Sequence, residues 1–345
     1  AGAGSHVADA AYIEAGASIA SDAKAEWAKA DLVLKVSPPQ QSAALGAHEA
    51  SLLKQGAVLI CHVWAHKNLP LVKELMARKV DCLAMELVPR ISRAQTMDSL
   101  SSQANIAGYK AVLLAATHLP KYFPLLMTAA GTIQPARVVI MGAGVAGLQA
   151  IATARRLGAI VEVSDVRPAV KEQVESLGAK FIDLPELESG EGQGGYAKEL
   201  TPEFLAKQQA IVAQRVKAAD VVITTAQVPG RPAPRLVTEE MVKGMREGSV
   251  IVDLAADSGG NCELTELGKL VVKHGVQIMG YSDLPNSMPV DASALYARNV
   301  IALIGPFLKD GTLALDLADD VITGALLTHQ GEVRHAPTKA ALAAG

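Results

Sequence analysis

The sequence predicts an α/β protein of two doubly wound parallel-sheet domains with a cleft between them, and three observations point there. Half of the 345 residues are hydrophobic but only 3% are aromatic, so the interior is built from Ala, Val, Leu and Ile. Layered α/β domains suit that supply, because Ala-rich helices pack on Val- and Ile-rich strands. Short β-branched runs alternate with segments of helical spacing, the pattern of parallel strands joined by crossover helices. A turn with three glycines, Gly142-Ala143-Gly144-Val145-Ala146-Gly147, joins a predicted strand to a predicted helix.

Strands are expected at 31–36, 57–61 and 81–86, each a short apolar run. Between the last two, 68–78 sets Leu69, Leu71, Val72 and Leu75 on one side of a helix. A long helix over 97–117 leaves this region, and Gly131 and Pro135 mark the entry into a second one. There a strand at 136–141, a helix over 148–157 closed by Gly158, and a strand at 160–164 make the first βαβ unit. The run 190–195 is too rich in glycine to hold regular structure. Further strands are expected at 220–225, 249–254 and 276–280, each following a helical segment. A helix over 291–308, interrupted by Pro306, then crosses back. The domains are accordingly expected at 1–100 plus 300–345, discontinuous, and at 101–299, with a flexible Ala-rich tail from Thr338. The opening Ala-Gly-Ala-Gly-Ser reads as the exit of a preceding strand, so a fragment or processed chain lacking its first strand and helix is expected.

The glycine turn has the chemistry of a Rossmann-like phosphate site. Its first glycine, Gly142, allows the tight turn; Gly144 lets the backbone approach a pyrophosphate; Gly147 lets helix and strand pack closely. Around Val145 and Ala146 the helix begins, and its unpaired N–H groups and positive dipole end face the phosphates. Asp165 ends the second strand, where an acidic residue meets the adenosine ribose hydroxyls. A plainer reading makes Asp165 a turn residue, but strand, turn, helix, strand and acid together favour a dinucleotide. Its carboxylate accepts from a free 2′-hydroxyl and repels a 2′-phosphate, which favours NAD(H) over NADP(H). Arg167, beyond Val166, softens that exclusion.

A net charge of −3 argues against nucleic acid as a partner. No run of eighteen apolar residues exists to span a membrane. Cys61, Cys82 and Cys262 lack CxxC or metal-ligand spacing, so buried thiols and no metal are expected.

The run Val88-Pro89-Arg90-Ile91-Ser92-Arg93-Ala94-Gln95-Thr96-Met97-Asp98-Ser99-Leu100-Ser101-Ser102, followed by Ala104-Asn105-Ile106-Ala107-Gly108-Tyr109, resembles a segment of the proton-translocating nicotinamide nucleotide transhydrogenases. The likeness continues through Gly142–Gly147, Gly194-Gly195-Tyr196-Ala197-Lys198, Thr224-Thr225-Ala226, Pro229-Gly230, Pro232-Ala233-Pro234 and Gly259-Gly260-Asn261-Cys262-Glu263, and so covers essentially the whole chain. It implies the peripheral NAD(H)-binding component of that enzyme. Such a component passes hydride directly between NADH and NADP(H) held on a partner, coupled to proton movement through a membrane-spanning component. A homodimer is implied too, on the cytoplasmic face of the inner membrane, or soluble in the cytoplasm when isolated.

Direct transfer needs no acid or base, only two nicotinamides held face to face. The resemblance makes Arg90, Asp98 and Ser101 orient the carboxamide and ribose, while Gln95 reaches toward the second nucleotide. The plainer reading of this stretch is helix entry, with Ser92 as N-cap and Gln95 completing a capping box; both can hold. Gly195 and Tyr196 are implied to be a mobile lid, with Gln208 nearby on the next helix. Thr225, Ala226 and Gln227 lie at the carboxyl end of a strand, where α/β sheets present ligand contacts; the family has an apolar residue in place of Gln227. Alanine dehydrogenase, which shares the fold, is the alternative. It needs a histidine where Trp64 aligns, although Asp257 does match its aspartate, so His62 and His66 read as structural or solvent-facing. A non-enzymatic NAD-sensing module is the remaining reading.

Overall fold

The computed structural model describes residues 2–182, 202–228 and 231–344; within 202–208 only the backbone and the Lys207 side chain are described. Two compact units emerge, Ala1–Gln103 with Met288–Gly345, and Ala104–Ser287.

In the first leg, β1 (Leu32–Leu34), β2 (Val58–Cys61) and β3 (Asp81–Ala84) run parallel, Leu32 beside Val58 and Val58 beside Asp81. Helix α1 (Leu69–Ala77) connects the last two, with Pro70 in its first turn and Leu71, Val72 and Leu75 buried. Two 3-10 segments, Met85–Leu87 and Ser92–Met97, lead to α2 (Ser99–His118), which carries the chain into the second unit.

The second unit begins with a hairpin, β4 (Leu126–Thr128) and β5 (Gly131–Ile133), paired only to itself. Then come β6 (Arg137–Met141), α3 (Val145–Arg156) and β7 (Ile160–Ser164), the βαβ unit that the periodicity predicts. Helix α3 ends as expected at Gly158, whose φ of 86° supplies the left-handed turn that most side chains resist. After β8 (Lys180–Phe181) and α4 (Pro202–Ala218) follow β9 (Val221–Thr224), α5 (Glu239–Lys243), β10 (Val250–Asp253), β11 (Leu270–Lys273) and β12 (Val276–Met279). Their order across the sheet is β8-β7-β6-β9-β10-β12-β11. The order reverses between β6 and β9, the switch point at whose carboxyl edge such sheets bind ligands. Alternate residues face opposite cores: Val138 and Ile140 lie in one, Val139 and Met141 in the other.

One expected connection differs. The strand at Val276 follows not a helix but β11, antiparallel to it, through the two-residue turn His274-Gly275. Both turn residues have positive φ (52° and 75°), the twist that two-residue hairpins require.

The return leg enters at α6 (Pro289–Ile304), which, as expected, gives way to a 3-10 turn around Pro306. It continues through α7 (Asp320–Ala325), β13 (Leu326–His329), β14 (Glu332–Val333) and α8 (Ala336–Ala344). The tail expected to be flexible is thus helical, with Thr338 buried and bonded to His335. The first unit's sheet runs β1-β2-β3-β13-β14, the last two strands antiparallel to their neighbours. Helix α1 packs on one face of it with Leu59 and Cys82, while α6 and α7 cover the other with Ile60 and Leu83.

Candidate functional site

The glycine turn sits where β6 ends at the switch point. Gly142 has φ 103°, and a Cβ there would stand 2.5 Å from the Thr225 hydroxyl; one on Gly147 would stand 1.9 Å from the Gly142 carbonyl oxygen. Both glycines are therefore dictated by the fold itself. Gly144 is not: its backbone is extended, it caps α3, and a Cβ would meet nothing within 4 Å. What demands a bare backbone there lies outside the chain. An incoming pyrophosphate over the N-terminus of the 12-residue helix α3, beginning at Val145 and Ala146, fits that demand. The Ala146 carbonyl also forces glycine at Gly108 on α2, where a Cβ would come within 2.1 Å.

Asp165 follows β7 and has a side chain only 5% exposed. Its Oδ2 accepts the Ala143 N–H at 2.7 Å and an Arg167 guanidinium N–H at 2.9 Å; its Oδ1 accepts the Arg167 backbone N–H at 2.8 Å and Nε–H at 3.0 Å. Burial pushes this carboxyl up, but the bonds from Arg167 and Ala143 and the guanidinium charge outweigh it and hold the group below the usual carboxylate range. It stays ionised, as a ribose acceptor must. Arg167 is tied to this carboxylate, while Val166 beside it is exposed. Replacing Asp165 by alanine is expected to weaken NADH binding by about 1–3 kcal/mol through the lost charge-assisted bonds. A fluorescence titration giving wild-type affinity would remove it from the ribose site.

At the end of β9, Thr225 donates its hydroxyl to the Gly142 carbonyl at 3.1 Å, clamping the glycine turn. Ala226 is held on both sides by Asn261, whose Oδ1 accepts its N–H at 3.1 Å and whose Nδ2 donates to its carbonyl at 2.9 Å. Gln227, where the family has an apolar residue, donates to the Leu254 carbonyl at 3.0 Å and to Asp257 at 3.4 Å. Two buttresses here escape a reading of the sequence, the fully buried Asn261 and Asp253. Asp253 accepts from Thr224, Ala255, Cys262 and Thr265. Its place at the end of an apolar strand is the signal that could have found it.

In the first unit, Asp98 and Ser101 come together. Asp98 caps α2, accepting the Ser101 N–H at 2.9 Å and its hydroxyl at 2.6 Å. That corrects the expected capping box: the 3-10 segment from Ser92 has Ile91 as N-cap with no side-chain bond, because the helix proper starts later at Ser99. Arg90 and Gln95 are exposed on the approach to this turn. Gly195, Tyr196 and Pro229-Gly230 lie outside the described residues, as does the Gln208 side chain.

His62 is buried; its Nε2 meets the Ser99 hydroxyl at 2.9 Å and its Nδ1 the Val36 carbonyl at 3.2 Å. Burial lowers its pKa, partly opposed by the Val36 carbonyl. Trp64, in the alanine dehydrogenase histidine's place, has φ 50° and stacks on His62 at 5.6 Å between centroids. Its N–H and that of Val63 are received by Glu86, whose carboxyl burial raises despite these bonds and one from its own backbone. His66 is exposed.

Comparison with known proteins agrees with this geometry. The family "Alanine dehydrogenase/PNT, N-terminal domain" matches residues 1–107, and its C-terminal counterpart matches 111–336. The first of the two alpha-subunit chains of NAD(P) transhydrogenase in Rhodospirillum rubrum is 51% identical over 97% of this chain and 88% of its own length. The longer subunit alpha of Haemophilus influenzae is 46% identical over 94% of this chain but only 62% of its own. Alanine dehydrogenase of Staphylococcus saprophyticus is 32% identical over 84% and 72%. Among solved structures, transhydrogenase from Sinorhizobium meliloti aligns with a TM-score of 0.85 at 46% identity, covering 96% of this chain and 89% of that one. With its glycine turn, its Asp165 and a tryptophan where the dehydrogenases keep histidine, the chain belongs to the alanine dehydrogenase/PNT family, and within it to the NAD(P) transhydrogenase alpha subunits.

Proposed function

We propose that this chain is the NAD(H)-binding component of a proton-translocating transhydrogenase. It exchanges a hydride, two electrons and one proton, between C4 of NADH and C4 of NADP+ on a partner component, yielding NAD+ and NADPH. No proton from solvent enters that step, so the chain's task is to bind, orient and exclude water. The observation that carries the reading is Gly144, a glycine that the fold does not require beside two that it does. In this reading Gly142, Gly147 and α3 hold the pyrophosphate, Asp165 the adenosine ribose, and Thr225, Ala226 and Gln227 line the carboxyl edge. Arg90, Asp98 and Ser101 orient the nicotinamide, Gln95 faces the second nucleotide, and Gly195, Tyr196 and Gln208 close over it.

No helix among the described residues is long and apolar enough to cross a membrane. Proton movement therefore falls to a membrane-spanning partner, with this chain docked peripherally on its cytoplasmic side. Homodimer formation is supported by the β4–β5 hairpin, which exposes Met127 (72%), Leu125 (53%) and Ile133 (40%) around strands paired to nothing else.

Reconstitution tests the proposal. Mixed with the NADP(H)-binding component, NADH and NADP+, the chain is expected to generate NADPH, while alanine with NAD+ alone gives no turnover. NADH binding without hydride exchange would leave a sensing module; turnover of alanine would make it a dehydrogenase. Within the same assay, Gln95→Asn is expected to slow exchange about tenfold with NADH affinity held, the signature of a group acting only at transfer. An unaltered rate would take Gln95 out of the transfer site.

A further inference from the structure

His62 has no part in hydride transfer as described, yet it is the polar centre of the first unit's carboxyl edge. We infer that His62 is a positioning residue: through Ser99 it sets the turn that carries Asp98 and Ser101. This rests on reading that turn as the nicotinamide-orienting one.

The Val36 carbonyl can only accept, so Nδ1 carries the proton and donates, leaving the Nε2 lone pair to accept from the Ser99 hydroxyl. One neutral imidazole thus bridges the end of β1 to the first residue of α2, and both ring nitrogens are used. The ring itself cannot drift. Trp64 stacks on it at an interplanar angle of 10°, and Tyr296 of α6 packs at 5.3 Å, its own hydroxyl donating to the Lys35 carbonyl at 2.6 Å. Ser99 is fully buried, so its hydroxyl has no water to fall back on. A second anchor lies three residues before Ser99: Asn299 of α6 donates its amide to the Thr96 carbonyl at 2.8 Å. Asp98 therefore sits between two pinned positions, Thr96 and Ser99, and its carboxylate fixes the Ser101 hydroxyl at 2.6 Å. Hydride transfer tolerates little misplacement of the nicotinamide, so loosening one anchor is felt in rate before affinity.

The test uses the full chain reconstituted with the NADP(H)-binding component, reading single-turnover hydride exchange, NADH affinity and melting temperature. His62→Phe keeps a stacked ring and removes both hydrogen bonds; Ser99→Ala removes the same bond from the other side with almost no change in volume. Each is expected to slow exchange about tenfold with NADH affinity changed less than about twofold, and the double variant to be no slower than either single. His62→Gln, which keeps an acceptor near the Nε2 position, is expected to recover most of the rate, and His62→Asn, which does not reach Ser99, to recover none. Normal exchange in Ser99→Ala, or losses that multiply in the double variant, would overturn the coupling. Asp98→Ala separates the two levels. If it slows exchange while Ser99→Ala does not, the nicotinamide turn stands and His62 is merely structural. If Asp98→Ala is also normal, the turn itself is misread and the inference falls with it.

Discussion

Gly147→Ala is expected to abolish NADH binding and lower the melting temperature together, because its Cβ would lie 1.9 Å from the Gly142 carbonyl oxygen. Backbone is the obstacle, so α3 has to move off β6. Overpacking of this kind costs about 1–3 kcal/mol or more, and the shift also drags the helix N-terminus out of register with the phosphates. Gly144→Ala is the informative contrast. Its Cβ meets nothing within 4 Å in the protein, so the melting temperature without ligand should stay put. The added methyl instead occupies the space a pyrophosphate needs, and the NADH-induced rise in melting temperature should shrink in proportion to the weakened affinity. Thermal unfolding with and without NADH reads both variants. A Gly144→Ala protein stabilised by NADH as well as wild type would mean that the phosphates do not approach this turn.

Asp253→Ala carries the largest expected effect on folding. The carboxylate is fully buried and receives the Thr224 hydroxyl at 3.0 Å, the Ala255 N–H at 3.0 Å, the Cys262 N–H at 3.0 Å and the Thr265 hydroxyl at 2.7 Å. Each buried donor left without a partner costs about 1–3 kcal/mol. Several at once approach the roughly 5–15 kcal/mol that holds a typical domain folded. The variant is expected to be insoluble or to unfold at far lower urea than wild type. Asp253→Asn should fall between, since an amide accepts on one oxygen only and turns donors against Cys262 or Thr224. A midpoint unchanged in Asp253→Ala would show that these bonds contribute nothing net. Gly260 belongs to the same arrangement: a Cβ there would stand 2.8 Å from the Asp253 carboxylate, so the Gly259-Gly260 pair reflects packing around a buried charge.

Much of the nucleotide half is legible in the sequence because its signals are local. Val138 to Met141 reads as a strand, Gly142 to Gly147 as a turn into a helix, and Ile160 to Ser164 as the next strand, and each forms where neighbours along the chain dictate it. The His274-Gly275 hairpin is equally local, yet alternation of strand and helix elsewhere in the chain outweighs a two-residue turn signal and hides it. The helix entry at Asp98 is displaced to Ser92 in the sequence for a different reason. Both offer a side-chain oxygen to backbone donors, and only the packed chain shows where helical bonding begins.

By itself, then, the amino-acid order determined the α/β class, the glycine turn and its acidic companion, because periodicity and backbone permissiveness act over a few residues. Tertiary structure alone decided which polar groups share a buried wall: Cys262 with Asp253 across 9 residues, Ala226 with Asn261 across 35, His62 with Ser99 across 37. Those pairings arise when strand ends and loops converge, and they are enforced by the free-energy cost of burying a donor or acceptor that finds no partner.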